Sequence, residues 1–152
     1  MSTTPTPLDG RRYDLLLAVY EQLTGTHWEN DLLQLLPEGA DSITTGDPDS
    51  EWTGNTDALL VIRPFSGDTR STIGGEVPTY DVQVVLEWSF EYHDTSQTFW
   101  HAEVFDAVDD GLNQFSPGQF TGLGSNGGID AQPDSNRNRY LADAVYSFRT
   151  RL

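Results

Sequence analysis

The sequence predicts an α+β domain: a two-layer sandwich in which a mainly antiparallel sheet of about four strands packs on an N-terminal helix and one long helix. Two adjoining segments carry the prediction. Over 79–93, Tyr80, Val82, Val84, Leu86, Trp88, Phe90 and Tyr92 alternate with Asp81, Gln83, Glu87, Ser89 and Glu91. A period of two over that length is a strand with one packed face and one wet face. Over 96–115 the period becomes about 3.6, with Phe99, Ala102, Phe105, Val108, Leu112 and Phe115 on one side of a helix. Asp94, followed three residues later by Gln97, has the form of a capping box at the switch.

The remaining elements follow in chain order. Residues 1–8 read as a disordered lead, and Asp9 suits the N-cap of a first helix that runs to Leu23. Tyr13, Leu16, Leu17, Tyr20 and Leu23 form its apolar face, at helical spacing. Further helical turns fit 28–36, before Pro37 and Gly39 stop them. The polar stretch 40–56 reads as a loop, and the aliphatic run 58–65 as a buried strand with Pro64 near its end. A second loop occupies 66–78. After the long helix, a glycine-rich connection fills most of 118–137, with one short strand near 129–132. A strand over 139–151 closes the chain, with Tyr140, Ala142, Ala144, Tyr146 and Phe148 facing inward.

A chain of 152 residues fits one domain over 1–152 and can bury roughly 68–70% of its unfolded surface. With no cysteine, disulfides, thiolate metal sites and cysteine nucleophiles are excluded. The polar start MSTTPTPLDG and the short apolar runs predict neither a classical signal nor a membrane span. Charge is the strongest compositional fact: 24 acidic against 8 basic residues leave a net −16. All the basic residues are arginine, and Asp outnumbers Glu by 16 to 8. That is the signature of a protein adapted to high salt, where repulsion among surface carboxylates is screened over about 3 Å. It also disfavours duplex DNA as a direct partner, since backbone binding rests on cationic side chains displacing counterions.

Motifs for catalysis are weak. His27, His93 and His101 are the only groups suited to proton chemistry near neutral pH. His93 and His101 fall near one another with Asp94 and Glu103, yet no zinc spacing is present. His101-Ala102-Glu103 copies the H-x-E of zinc deaminases without the cysteines that motif needs. Gly122-Leu123-Gly124-Ser125-Asn126-Gly127 matches G-x-G-x-x-G but has its helix before it, so it reads as a loop. No serine lies in a nucleophile elbow. Asp47, Asp49 and Glu51, and Asp106, Asp109 and Asp110, cluster without a calcium-loop pattern. The expectation is a non-enzymatic protein with no catalytic, cofactor or metal site.

Apolar residues in the loops point instead to contacts. Trp52, Ile73, Val77, Phe115 and Phe120 sit among Gly, Ser and Thr with little local core to join. Trp52, Arg70, Ile73, Val77 and Phe120 are therefore the candidate subunit-interface residues.

The helix around LLLAVYEQLTG, the strand YDVQVVLEWSFEYHD running into the helix TSQTFWHAEVFDAVDDGLNQF, and the aromatic closing strand RYLADAVYSFRTRL together resemble the tail terminator (tail completion, minor tail) proteins of long-tailed viruses. These segments make up about two fifths of the chain. The resemblance implies a structural virion protein located in the tail and neck and assembled in the host cytoplasm. It implies a homo-oligomeric ring, typically a hexamer, that caps the tail tube and joins it to head-tail connector proteins. It implies no cofactor, no enzymatic activity, no membrane partner and no specific nucleic-acid binding, with DNA passing through the ring lumen; an acidic lumen wall is an expectation from the composition. The acidic composition adds a haloarchaeal host. Alternatives are another neck ring protein (a connector or stopper), a tail tube subunit, or a monomeric binding or metal-dependent domain using His93 and His101.

Overall fold

The computed structural model describes residues 7–46, 57–64, 72–73, 77–92, 100–118, 120–126 and 130–150. They form an α+β arrangement in the order α1 (Pro7–Thr24), α2 (Leu32–Leu35), a 3₁₀ turn (Gly39–Ser42), β1 (Ile43–Thr45), β2 (Ala58–Pro64), β3 (Thr72–Ile73), β4 (Val77–Ser89), α3 (Trp100–Leu112), β5 (Phe120–Asn126), β6 (Gln132–Asp134) and β7 (Arg139–Thr150).

The two strands with the clearest alternation are the spine of the sheet. β4 and β7 pair antiparallel from Thr79↔Arg149 to Ser89↔Arg139. The order is β1-β2-β4-β7-β5, with β3 added to the start of β4 and β6 to the start of β7. β1 runs parallel to β2, so the sheet is mixed. About four antiparallel strands is thus an underestimate. The additions fall where loops are expected: β1 within 40–56, β3 within 66–78, and β5 within 118–137. Short polar or glycine-rich segments carry little pattern of their own and become strands through the neighbour they pair with. β5 illustrates this: it lies along Val145–Thr150 of β7 with a bulge between Gly122 and Gly124, and Gly124 takes φ 105°. The short strand expected at 129–132 is found at Gln132–Asp134.

The inward faces are those the alternation predicts. Tyr80, Val82, Val84, Leu86 and Trp88 of β4 and Ala142, Ala144, Tyr146 and Phe148 of β7 are all buried, and Tyr140 packs against them. From the helices, Leu15, Val19 and Leu23 of α1 and Trp100, Val104, Phe105 and Val108 of α3 join the same cluster. Around Trp88 the core is ring upon ring, with Trp100 edge-on at 5.6 Å and Tyr140 stacked at 5.6 Å. Such contacts add about 0.5–1.5 kcal/mol each beyond area burial.

Polar side chains secure the helix ends. Asn30 donates through Nδ2 to the Leu23 and Gly25 carbonyls at 2.8 Å, taking up acceptors that the end of α1 leaves open. Trp28 Nε1 donates to the Gln22 carbonyl at 2.8 Å, and Trp100 Nε1 to the Leu35 carbonyl at 2.9 Å, which ties α3 to α2.

Three expectations change. α1 begins at Pro7, which suits a first helical turn, so Asp9 lies inside the helix rather than at its N-cap. α1 buries Leu15, Val19 and Leu23, not the face containing Tyr13 and Leu17, which are 56% and 40% exposed. The run LLLAVY is apolar on more than one side, so packing against β1, β2 and α3 selects which side is covered. Glu87, expected on a wet face, is fully buried. Residues 1–6, and the proposed capping box at Asp94 and Gln97, lie outside the described residues.

Candidate interface surfaces

Among the described residues, the exposed large apolar side chains are Tyr13, Leu17 and Leu123, and they fall in two places. Tyr13 and Leu17 are four residues apart on α1 and so stand one above the other. Their ridge is centred roughly 140° round the helix from Leu15, Val19 and Leu23. Leu16 and Tyr20, half-buried, connect it to the core.

Leu123 stands at the other place, the rim of an open groove between the end of α3 and strand β5, the last strand of the sheet on that side. The groove measures about 350 Å³. Gly122 and Gly124 of β5 are among the residues that line it. A Cβ on Gly124 would meet nothing within 4 Å, whereas one on Gly122 would stand 2.5 Å from the Phe115 carbonyl oxygen. The Tyr146 hydroxyl donates to Asp109 Oδ1 at 2.5 Å along one side of the groove. Burial first, and then the Asp109 carboxylate that accepts its proton, hold the Tyr146 phenol well above the usual tyrosine range. It stays neutral and remains a donor.

A second cleft, between α2 and α3, is lined by Asp31, Glu103, Asp106 and Asp110. The carboxylates that cluster in sequence are therefore divided in space: Asp109 faces Tyr146, while Asp106 and Asp110 face α2. Among the described residues no group of three His, Asp or Glu side chains is placed to hold a metal.

The sequence-predicted residues are distributed as follows. Phe120 is not available for a partner: only 6% exposed, it packs edge-on against Tyr80 at 6.0 Å. Its burial comes from β5 joining the sheet, which brings a residue from a glycine-rich stretch over the core. Ile73 and Val77 face each other in the β3–β4 ladder, and their side chains lie outside the described residues. Trp52 and Arg70 also lie outside them, as does His93. His101 stacks on Trp88 at 5.3 Å, and His27 Nε2 lies 2.9 Å from Gln22 Oε1. Tyr13 and Leu17 were placed on the wrong side of α1 by periodicity alone, and Leu123, between two glycines, carries no sequence signal at all.

No protein-family model matches the chain, and no curated protein matches it.

Proposed function

We propose that this protein is a structural ring subunit of a tailed-virus particle, of the tail terminator kind, which caps the tail tube and joins it to the head-tail connector. The observation that carries the proposal is the order and pairing of the four largest elements. An N-terminal helix, a long alternating strand leading to a helix, and an aromatic closing strand are the parts of the resemblance. Here α1, β4, α3 and β7 follow that order, and β4 and β7 are neighbours. In this proposal the helices form one layer of a two-layer sandwich and the sheet forms the other. The exposed pair Tyr13 and Leu17 on α1 is compatible with an assembling subunit. The acidic composition suits both a high-salt host and a lumen that repels passing DNA.

The test is light scattering and negative-stain imaging of the purified chain in about 3 M KCl, where screening is nearly complete, with and without tail tubes. Closed rings that seat on tube ends are expected. A protein that forms no ring and caps no tube refutes the proposal.

A further inference from the structure

We infer that β6 and the turn behind it, residues 130–138, form a detachable strap on the sheet, latched by the Asp134 carboxylate and able to lift while the rest of the fold stays closed. This inference is independent of the ring proposal.

The strap is thinly attached. β6 pairs with β7 at three positions, Gln132↔Leu141, Pro133↔Tyr140 and Asp134↔Arg139. By contrast, β4 pairs with β7 all the way from Thr79↔Arg149 to Ser89↔Arg139. The middle residue of β6 is proline, which has no N–H to give to the ladder. Gln132 and Pro133 are exposed, as are Ser135, Asn136, Arg137 and Asn138 of the turn. Ala131 is the residue of this segment that packs against the core, and it is half-buried. Segments with few buried apolar contacts open at a lower free energy than the fold as a whole.

The latch joins a rim group to a buried one. Asp134 Oδ2 accepts from Arg139 Nε at 2.9 Å, and the two side chains are 24% and 3% exposed. Through Nη1, Arg139 also meets Glu87 of β4, whose side chain is 0% exposed. One guanidinium therefore holds two carboxylates, a deep one and a rim one, and their roles differ. Losing Asp134 leaves Arg139 beside Glu87, so neither of those buried charges is left without its countercharge. Water reaches the vacated Nε from the rim and replaces the lost hydrogen bond. β7 keeps β4 along its other edge, so the sheet stays whole when β6 lifts. The lifted form presents the β7 backbone edge at Arg139–Leu141.

The hinge lies at Asn138. Its φ of 53° is in the left-handed region that asparagine tolerates better than most residues. Its carbonyl accepts from the Phe90 N–H at 3.0 Å, which fixes that end of the strap to the end of β4.

The test is hydrogen exchange resolved by residue, on the full chain in about 3 M KCl, where screening is nearly complete, with denaturant added in steps. In the wild type, the protected amides of 131–138 should exchange faster than those of β4 and α3. Their rates should depend little on denaturant, the mark of an opening that exposes little surface. In Asp134→Asn they should exchange faster still, by about tenfold or more, having lost a hydrogen bond between charged groups. β4 and α3 should stay protected, and the near-ultraviolet circular dichroism of the aromatic core should be unchanged. Strap amides that exchange at the rate of β4 and α3, with the same dependence on denaturant, overturn the strap, because the segment then opens only with the whole fold. Local opening that Asp134→Asn leaves unchanged overturns the latch. An Asp134→Asn chain that does not fold overturns the division of roles between the two carboxylates.

Discussion

Glu87 and Arg139, 52 positions apart in the chain, form an ion pair on the side of the sheet facing away from the helices, with side chains 0% and 3% exposed. The ladder places Arg139 opposite Ser89 and Glu87 opposite Leu141, so the pair is diagonal across β4 and β7. Arg139 Nε also donates to Asp134 Oδ2 at 2.9 Å. One guanidinium therefore joins β4, β6 and β7. Arginine suits the position because its planar fork reaches two carboxylates and stays charged when buried.

Arg139→Met should destabilise the protein by about 3–5 kcal/mol, since it leaves the Glu87 carboxylate buried without its countercharge. Glu87→Leu combined with Arg139→Met should recover much of that loss, because burying neither charge removes the desolvation penalty as well. Denaturant unfolding in high salt measures both, through the shift in midpoint at constant slope. A single variant as stable as wild type would show that the pair contributes nothing.

Gly111 reverses the usual helix rule. Gly→Ala inside a helix ordinarily stabilises by roughly 1 kcal/mol. Here a Cβ would stand 2.6 Å from Trp28 Cη2, and the indole is held by its bond to the Gln22 carbonyl. Gln22 Nε2 in turn donates to the Gly111 carbonyl at 2.8 Å, so α1 and α3 meet closely at this point. Gly111→Ala should therefore destabilise by about 1–3 kcal/mol, the typical range for overpacking. Thermal unfolding checks the sign, and a raised midpoint would contradict the close approach.

Tyr146 predicts behaviour in alkali. Its phenol titrates above the ordinary value of 10.0 when folded, through burial and then the Asp109 carboxylate. Below pH 10 its contribution is fully present. Above that, the unfolded chain releases the proton and the folded chain does not, so stability falls by about 1.4 kcal/mol per pH unit from this group. Tyr92 acts in the same direction, through burial and then the Asp57 charge. Tyr146→Phe should be about 1–3 kcal/mol less stable at pH 7, having lost a hydrogen bond to a charged group. Its decline between about pH 10 and 12 should be shallower than that of the wild type. Parallel declines for the two proteins would mean that the phenol is not held neutral.

A net charge of −16 predicts salt-dependent stability. Raising KCl from about 0.1 M to 3 M shortens the Debye length from about 10 Å to below 3 Å, relieving repulsion among surface carboxylates. Relief of about 3 kcal/mol corresponds to a rise of roughly 10 °C in the thermal midpoint for a chain of this size. Calorimetry across that range is the measurement, and a flat midpoint would argue against adaptation to salt.

Some of this structure was legible in periodicity alone. The inward residues of β4 from Tyr80 to Trp88, those of β7 from Ala142 to Phe148, and the buried face of α3 containing Phe105, Val108 and Leu112 follow from spacings of two and about 3.6, because a side chain's direction is set by its own backbone. Other features depended on which segments meet. β5 is a strand because β7 offers it an edge, and that pairing turns Phe120 from an expected contact residue into core. The covered side of α1 was chosen by β1, β2 and α3, leaving Tyr13 and Leu17 outside. Glu87 reads locally as a solvated carboxylate, but it is buried, beside Arg139 brought in from far along the chain. Local spacing acts within a few residues and determined the strongest elements; partners far apart in sequence, brought together by the sheet, decided the edges, the buried charge and the side chains left exposed.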